Sequence, residues 1–245
     1  MTVQVSVKTD IAEAVRWMTK LERQKIPKVT KQALNNTGFA GRKLAMRQIR
    51  QKFHRPVRRT KRAPLVRMAT ARDLSVELYI NDDPGSGTAP NKYLQPQIDG
   101  GRRRPKKYEK ALRLRGIIKP NQYSIINEKY RTKAGNISGQ RVEQILSQLG
   151  AAEMTAGYQA NQTARSKRRA GKSRKQYFPL YRGGRAIGIF VRATKTRIDN
   201  VMGFDDSAPR YRQRWDFYDE SERYMVKKFG KELTRLIRNL MALDR

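Results

Sequence analysis

From Arg23 to Arg72 the chain carries sixteen lysines and arginines and no acidic residue, and from Met154 to Ile198 twelve more, again without an acid. A third cluster, Arg102-Arg103-Arg104-Pro105-Lys106-Lys107, lies between them beside a Gly-Gly pair. Unpaired cations are almost never buried, so most of these side chains must end in solvent or against an anionic partner. Residues 199–245 are different, with ten basic and nine acidic side chains. Of the formal net charge of +34, the first 198 of 245 residues therefore hold all but one unit. Such asymmetry points to a partner surface rather than to solubility alone.

Composition narrows the chemistry. Hydrophobic residues make up 38% of the chain, enough for a core, and the length allows one large domain or two small ones. The absence of cysteine removes disulfide frameworks, thiolate zinc sites and thiol nucleophiles together. His54 is the single histidine, which removes chemistry built on paired imidazoles. The longest near-apolar run, Ala186 to Val191, falls far short of the ~20 residues that cross a bilayer. The N-terminal MTVQVSVKTD has no apolar signal-peptide segment. The expectation is a soluble protein of a cytoplasm-like compartment, with no membrane partner and no cofactor.

Periodicity supplies the elements. Val3, Val5 and Val7 alternate as a short strand, and Asp10 with Glu13 opens a helix in which Ile11, Ala14, Val15, Met18 and Leu21 recur. Pro27 should break or kink that helix, after which Val29, Ala33, Thr37, Ala40 and Leu44 carry the period to about Phe53. A basic loop, Arg55 to Arg62, precedes a strand marked by Leu74, Val76, Leu78 and Ile80 and ended by Asp82-Asp83-Pro84-Gly85-Ser86-Gly87. Short helices follow over about 91–98, 105–114 and 139–149, the last capped by Ser138 and carrying Val142, Ile145, Leu146 and Leu149. Tyr177–Tyr181 and the alternating Ile187, Ile189 and Val191 flank Gly183-Gly184 as a hairpin, with Val201–Phe204 as a further strand. Asp216 opens a closing helix with Tyr218, Met225, Phe229, Leu233, Leu236, Ile237 and Leu240 on one face. The pattern is α+β: a small mixed or antiparallel sheet packed by long N- and C-terminal helices. Residues 1–83 and 176–245 read as one core domain, 84–158 as a helical insertion, and 159–175 as a basic flexible arm with little to bury.

Candidate chemistry is weak beside the charge. Ala170-Gly171-Lys172-Ser173 matches the end of a phosphate-binding loop, but the required earlier glycine is Ser166 and no strand precedes it. The acids Asp205, Asp206, Asp216, Asp219, Glu220 and Glu222 raise a metal-dependent nuclease, since two-metal sites need converging carboxylates. Asp216, Asp219 and Glu220 are better read as complementing a helix dipole, and His54 as a surface or helix-end residue. The cations expected to meet a partner are Arg58, Arg59, Arg62, Arg102, Arg103, Arg104, Lys106, Lys107, Arg165, Lys167, Arg168, Arg169, Lys172, Arg174 and Lys175. Tyr108, Tyr123, Tyr130 and Tyr177 stand close enough in sequence to add base stacking if that partner is single-stranded nucleic acid. Acidic protein neighbours in an assembly would use the same cations equally well.

A resemblance rests on several short motifs. Tyr93-Leu94-Gln95-Pro96-Gln97-Ile98-Asp99-Gly100-Gly101, Arg102–Arg104 and Tyr108-Glu109-Lys110-Ala111-Leu112 resemble tailed-bacteriophage minor tail or tail-completion (neck) proteins. So do Gly135-Asn136-Ile137-Ser138, Val142-Glu143-Gln144-Ile145-Leu146-Ser147, Phe178-Pro179-Leu180, Ser207-Ala208-Pro209-Arg210-Tyr211 and Trp215-Asp216-Phe217-Tyr218. Ile26-Pro27-Lys28-Val29 with Ala33-Leu34-Asn35 is similar to the opening helix of the minor tail protein Z of lambda-like phages. The resemblance implies a non-enzymatic virion component of the head–tail junction or upper tail, built as a homo-oligomeric ring. It would be assembled in the host cytoplasm against portal, adaptor or tail-tube neighbours. Contact with packaged DNA is a further expectation of that role, and the alternative reading of the residues is a non-sequence-specific DNA-binding protein that uses its basic clusters.

Overall fold

Residues Lys20–Lys52 form one 33-residue helix, α1, in a computed structural model that describes residues 4–8, 20–85, 87–170, 176–194 and 196–243. The helix runs on through Pro27, where a break or kink is expected. A proline there forfeits one backbone bond at a cost of roughly 3 kcal/mol. The buried run that follows, Thr30, Ala33, Leu34 and Thr37, anchors the helix against its core. The expected helix over Ile11 to Met18 lies outside the described residues.

The chain divides into two units, Met1–Gly100 with Arg212–Arg245, and Gly101–Tyr211. In the first, β1 (Gln4–Lys8), β2 (Pro64–Arg67) and β3 (Ser75–Ile80) form an antiparallel sheet in the order β1-β3-β2. Strict alternation turns Val76, Leu78 and Ile80 inward. The short helix α2 (Arg58–Lys61) precedes β2, and α3 (Pro90–Ile98) adds Leu94 and Ile98 to the core. The C-terminal helix α7 (Phe217–Leu243) packs on α1.

Small residues let α1 lie close to both neighbours. A Cβ on Gly38 would stand 2.5 Å from Val76 Cγ2 and 2.8 Å from Val66 Cγ1, and one on Gly41 would stand 3.0 Å from Met225 of α7. The buried face therefore runs through Leu34, Gly38, Gly41, Ala45 and Ile49, and Val29, Ala40 and Leu44 are only half-buried. An apolar period alone undervalues glycine, which is why the expected face is rotated from the observed one. Trp215, fully buried, donates its Nε1–H to Gln48 Oε1 at 2.9 Å and meets Phe217 and Phe53 edge to face.

The second unit holds a two-stranded ladder of β4 (Gly101–Arg102) with β9 (Arg210–Tyr211) and a four-stranded antiparallel sheet. The larger sheet joins β5 (Tyr123–Ile126), β8 (Ile198–Asp205), β7 (Arg185–Arg192) and β6 (Gln176–Arg182) in that order. Helices α4 (Lys107–Leu114) and α5 (Gly139–Gln148) bury Ala111, Leu112, Val142, Ile145 and Leu146 in the same core as the sheet's Ile126, Ile189, Val191, Val201 and Met202. Ser138 caps α5 as expected, accepting from the Arg141 N–H. The hairpin turn Gly183-Gly184 has φ of 56° and 72°, values that a type I′ turn requires and glycine supplies freely.

Two expectations about organisation need correction. The hairpin and its third strand do not join the terminal helices in one domain. The four residues of β5, inside the stretch expected to be all-helical, pair with β8 and draw 176–211 into the second unit. Within the stretch expected to be a flexible arm, Ala164–Ala170 form a helix, α6, and residues 171–175 lie outside the described set.

The α1 packing gives a test. Gly38→Leu should destabilise the chain by roughly 1–3 kcal/mol through overpacking against Val66 and Val76, although leucine is the better helix former. Leu236→Ala, at a buried position of α7, should cost roughly 2–5 kcal/mol. Chemical denaturation of both variants measures these costs.

Candidate interaction surface

The expected cations separate into groups of different character. In the first unit, Arg58 opens α2 and Arg62 follows it, both are exposed, and no carboxylate among the described residues pairs with them. Arg59 is committed instead, donating from Nη2 to the carbonyls of Asp83 (2.8 Å) and Pro84 (2.5 Å) and so fastening the turn after β3. In the second unit Arg102, Arg104 and Lys107 are exposed, and the Lys107 ammonium lies 5.3 Å from the Tyr158 ring centroid. Arg165 and Arg168 of α6 are exposed. Lys167 and Arg169 belong to the same helix, and Lys172, Arg174 and Lys175 fall outside the described residues.

Arg103 does not belong to this surface. Its guanidinium makes a two-pronged pair with Glu109, at 2.8 and 2.6 Å, with side-chain exposures of 9% and 0%. Glu109 also accepts from the backbone N–H of Lys106, the N-cap of α4, and from the N–H and hydroxyl of Ser124 in β5. Burial alone would raise the Glu109 carboxyl. The bonds from Arg103, Ser124 and Lys106 outweigh it and hold the group below the ordinary carboxylate value. Lys106 is half-buried over the Tyr108 ring, and burial followed by repulsion from Arg103 lowers its ammonium below the usual lysine range. The sequence shows a run of equivalent cations. One of them is in fact the strut that ties α4 to β5.

The tyrosines expected to stack on bases are mostly interior. Tyr108, Tyr130 and Tyr177 are each 7% exposed, and Tyr123 lies between the guanidiniums of Arg103 and Arg113, at 5.1 and 4.9 Å from its centroid. Arg113 and Arg141, which stacks over Tyr130, were not singled out from the sequence, where nothing marks which arginines face aromatic rings.

The acids also have structural partners. Asp205 accepts from the Ser207 N–H and hydroxyl, Asp206 pairs with Arg185, and Glu220 pairs with Lys52 at 2.9 Å and accepts from Gln48. Asp216 lies 3.8 Å from Arg223, and Asp219 and Glu222 are exposed at the start of α7. Among the described residues no group of carboxylates and histidine is placed to hold a metal ion. His54 is exposed just past the end of α1. The residues of the phosphate-loop match, Gly171 to Ser173, lie outside the described set.

Exposed cations elsewhere in the two units, Lys129 and Arg197 among them, pair with carboxylates, whereas Arg58, Arg62, Arg102, Arg104, Lys107, Arg165 and Arg168 have none among the described residues. The family model for prophage minor tail protein Z matches residues 9–136, just over half of the chain. The chain therefore belongs to that family and is a structural protein of a phage tail, a component of the virion. No curated protein and no solved structure matches it. Among the described residues no helix is long and apolar enough to cross a membrane.

Glu109→Gln tests the buried strut. It leaves Arg103 charged and without its counterion, so at pH 7 it should cost roughly 3–5 kcal/mol. Because the folded Glu109 titrates below its ordinary 4.5, the parent keeps the full contribution above that pH and loses it as pH falls through the depressed value. Urea melts at neutral and acid pH should show the gap between variant and parent narrowing in acid.

Proposed function

We propose that the chain acts in tail completion and head–tail joining, as one subunit of a homo-oligomeric ring at the head–tail junction or upper tail. The observation that carries this reading is the set of exposed cations without a carboxylate partner among the described residues, on a member of a phage tail family: Arg58, Arg62, Arg102, Arg104, Lys107, Arg165 and Arg168. Copies carrying +34 each repel one another, so a ring of them gains stability when acidic neighbours such as a portal, adaptor or tail tube fill the gaps. Packaged DNA is the second anion within reach of such a ring. The burial of Tyr108, Tyr130 and Tyr177 takes away the stacking that these rings would give single-stranded DNA, and favours phosphate contact by the basic clusters. The reading gives the chain no catalytic role, and supercoiled plasmid incubated with it and Mg²⁺ should remain intact.

Salt separates the two anions. If acidic protein interfaces hold the chain, it should stay with purified virions through washes that dissociate it from free duplex DNA. With 6–10 phosphate contacts, DNA affinity would fall about 10³–10⁵-fold between 50 and 200 mM salt. Recovery of the chain only in DNA-bound fractions, and never in washed virions, would overturn the ring reading in favour of DNA binding.

A further inference from the structure

The four-stranded sheet of the second unit has an outer face that its own helices do not cover. Register places Ile125 opposite Gly203, Gly203 opposite Gly188, and Gly188 opposite Leu180, making one row across all four strands. In the next row Phe178 and Phe190 stand side by side, with ring centroids 6.3 Å apart. Ile125 and Ile198 are 50% exposed and Leu180 is 41% exposed. The two glycines are not equivalent. A Cβ on Gly188 would strike the Met202 carbonyl at 2.6 Å and the edge of the Phe190 ring at 3.2 Å. A Cβ on Gly203 would meet nothing nearer than the Ile187 carbonyl at 3.9 Å. The sheet surface thus dips at Gly203, between Ile125 and Phe190.

We propose that this face is a docking surface for a different virion protein, one that seats an apolar side chain over Gly203 and surrounds it with acidic residues. The proposal rests on the reading of the chain as an assembly component. An apolar area of this kind on so charged a surface is the mark of a protein contact. The acidic rim follows from charge. The unit has 26 lysines and arginines against 7 acids, and the exposed Arg182 at the end of β6 has no carboxylate partner among the described residues. A second copy would set that excess against itself. Strand addition along β6 is also closed: the outward Tyr177 N–H is already bonded to Gln148 Oε1 at 2.8 Å, and Pro179 two residues on has no N–H. Nucleic acid fits poorly, because Ile125, Leu180 and Ile198 offer nothing to phosphate and Phe178 and Phe190 spend their rings on each other.

The test uses particles purified from phage unable to make this protein, mixed with the purified full-length chain. The chain has no cysteine, so Leu180→Cys places a single thiol on the face for maleimide labelling. Labelling should slow about tenfold or more on addition of the particles and stay slow at about 0.5 M NaCl, because apolar burial is not screened by salt. Gly203→Val fills the dip with a good strand former and should melt like the parent, yet enter particles about tenfold less well. Equal labelling with and without particles, or parental incorporation of Gly203→Val, would overturn the docking face while leaving the virion reading intact. Labelling that slows as the free chain is concentrated would identify a second copy as the occupant and also overturn it. Failure of the parent itself to enter particles would bring down both readings.

Discussion

Repulsion among 55 cations sets the terms on which this chain folds, because every element must bury apolar surface while keeping like charges apart. Both units meet that demand with apolar cores from which charge is nearly absent. Among the described residues Glu109 is the fully buried exception, and it is tolerated because Arg103, Ser124 and the Lys106 N–H satisfy it. Elsewhere the few acids are placed where they neutralise most. Asp199 takes bonds from Lys129, Arg197 and Tyr130, and the Lys129 ammonium above all holds its carboxyl down to about 2. Glu232 joins Lys228 and Arg235 on α7 and accepts from Asn36 on α1, so one carboxylate serves both local pairing and the contact between the two long helices. Arg58, Arg62, Arg102 and Arg104 are among the cations left over, exposed and without a carboxylate among the described residues.

Elements with a long, regular period were legible in the sequence. Strand β3, the hairpin of β6 and β7, helix α5 with its Ser138 cap and the closing helix α7 all fall where alternation or helical spacing places them. Short or irregular elements were not. Pro64-Leu65-Val66-Arg67 and Tyr123-Ser124-Ile125-Ile126 are four residues each, too brief for a period to emerge, and their strand character comes from the partners they find in β3 and β8. Missing β5 had a consequence out of proportion to its length, because its pairing decides which unit the hairpin joins.

The basic surface was legible in bulk and not in detail. Counting charge finds the basic runs, but a sequence cannot tell Arg103, locked onto Glu109, from Arg102 and Arg104 on either side, which are exposed. The distinction comes from the two-residue ladder at Gly101–Arg102, which fixes the chain direction, and from α4, which brings Glu109 back beneath it. The outer sheet face was hidden for the opposite reason. Its residues alternate correctly with the core residues of the same strands, and half of any such alternation is expected to be polar. Ile125, Phe178, Leu180 and Phe190 occupy positions where a monomer would carry polar side chains, and only the burial pattern of all four strands together reveals it.

The family match and the physical units have different boundaries. Residues 9–136 contain α1, β2, β3, α3, α4 and β5, but neither α7 nor β6, β7 and β8. That segment cannot bury its own core. In the first unit the Gly41 side of α1 needs Met225 of α7, and Trp215 must arrive to donate its indole N–H to Gln48. In the second unit β5 has β8 as its pairing partner, and the inner face of that sheet supplies Ile189, Val191, Val201 and Met202 to the cluster around α4 and α5. The residues after 136 are therefore structural partners of the matched segment rather than an appended domain. A relative that retained only the matched segment would expose Gly41 and β5 to solvent, and would need another chain to cover them.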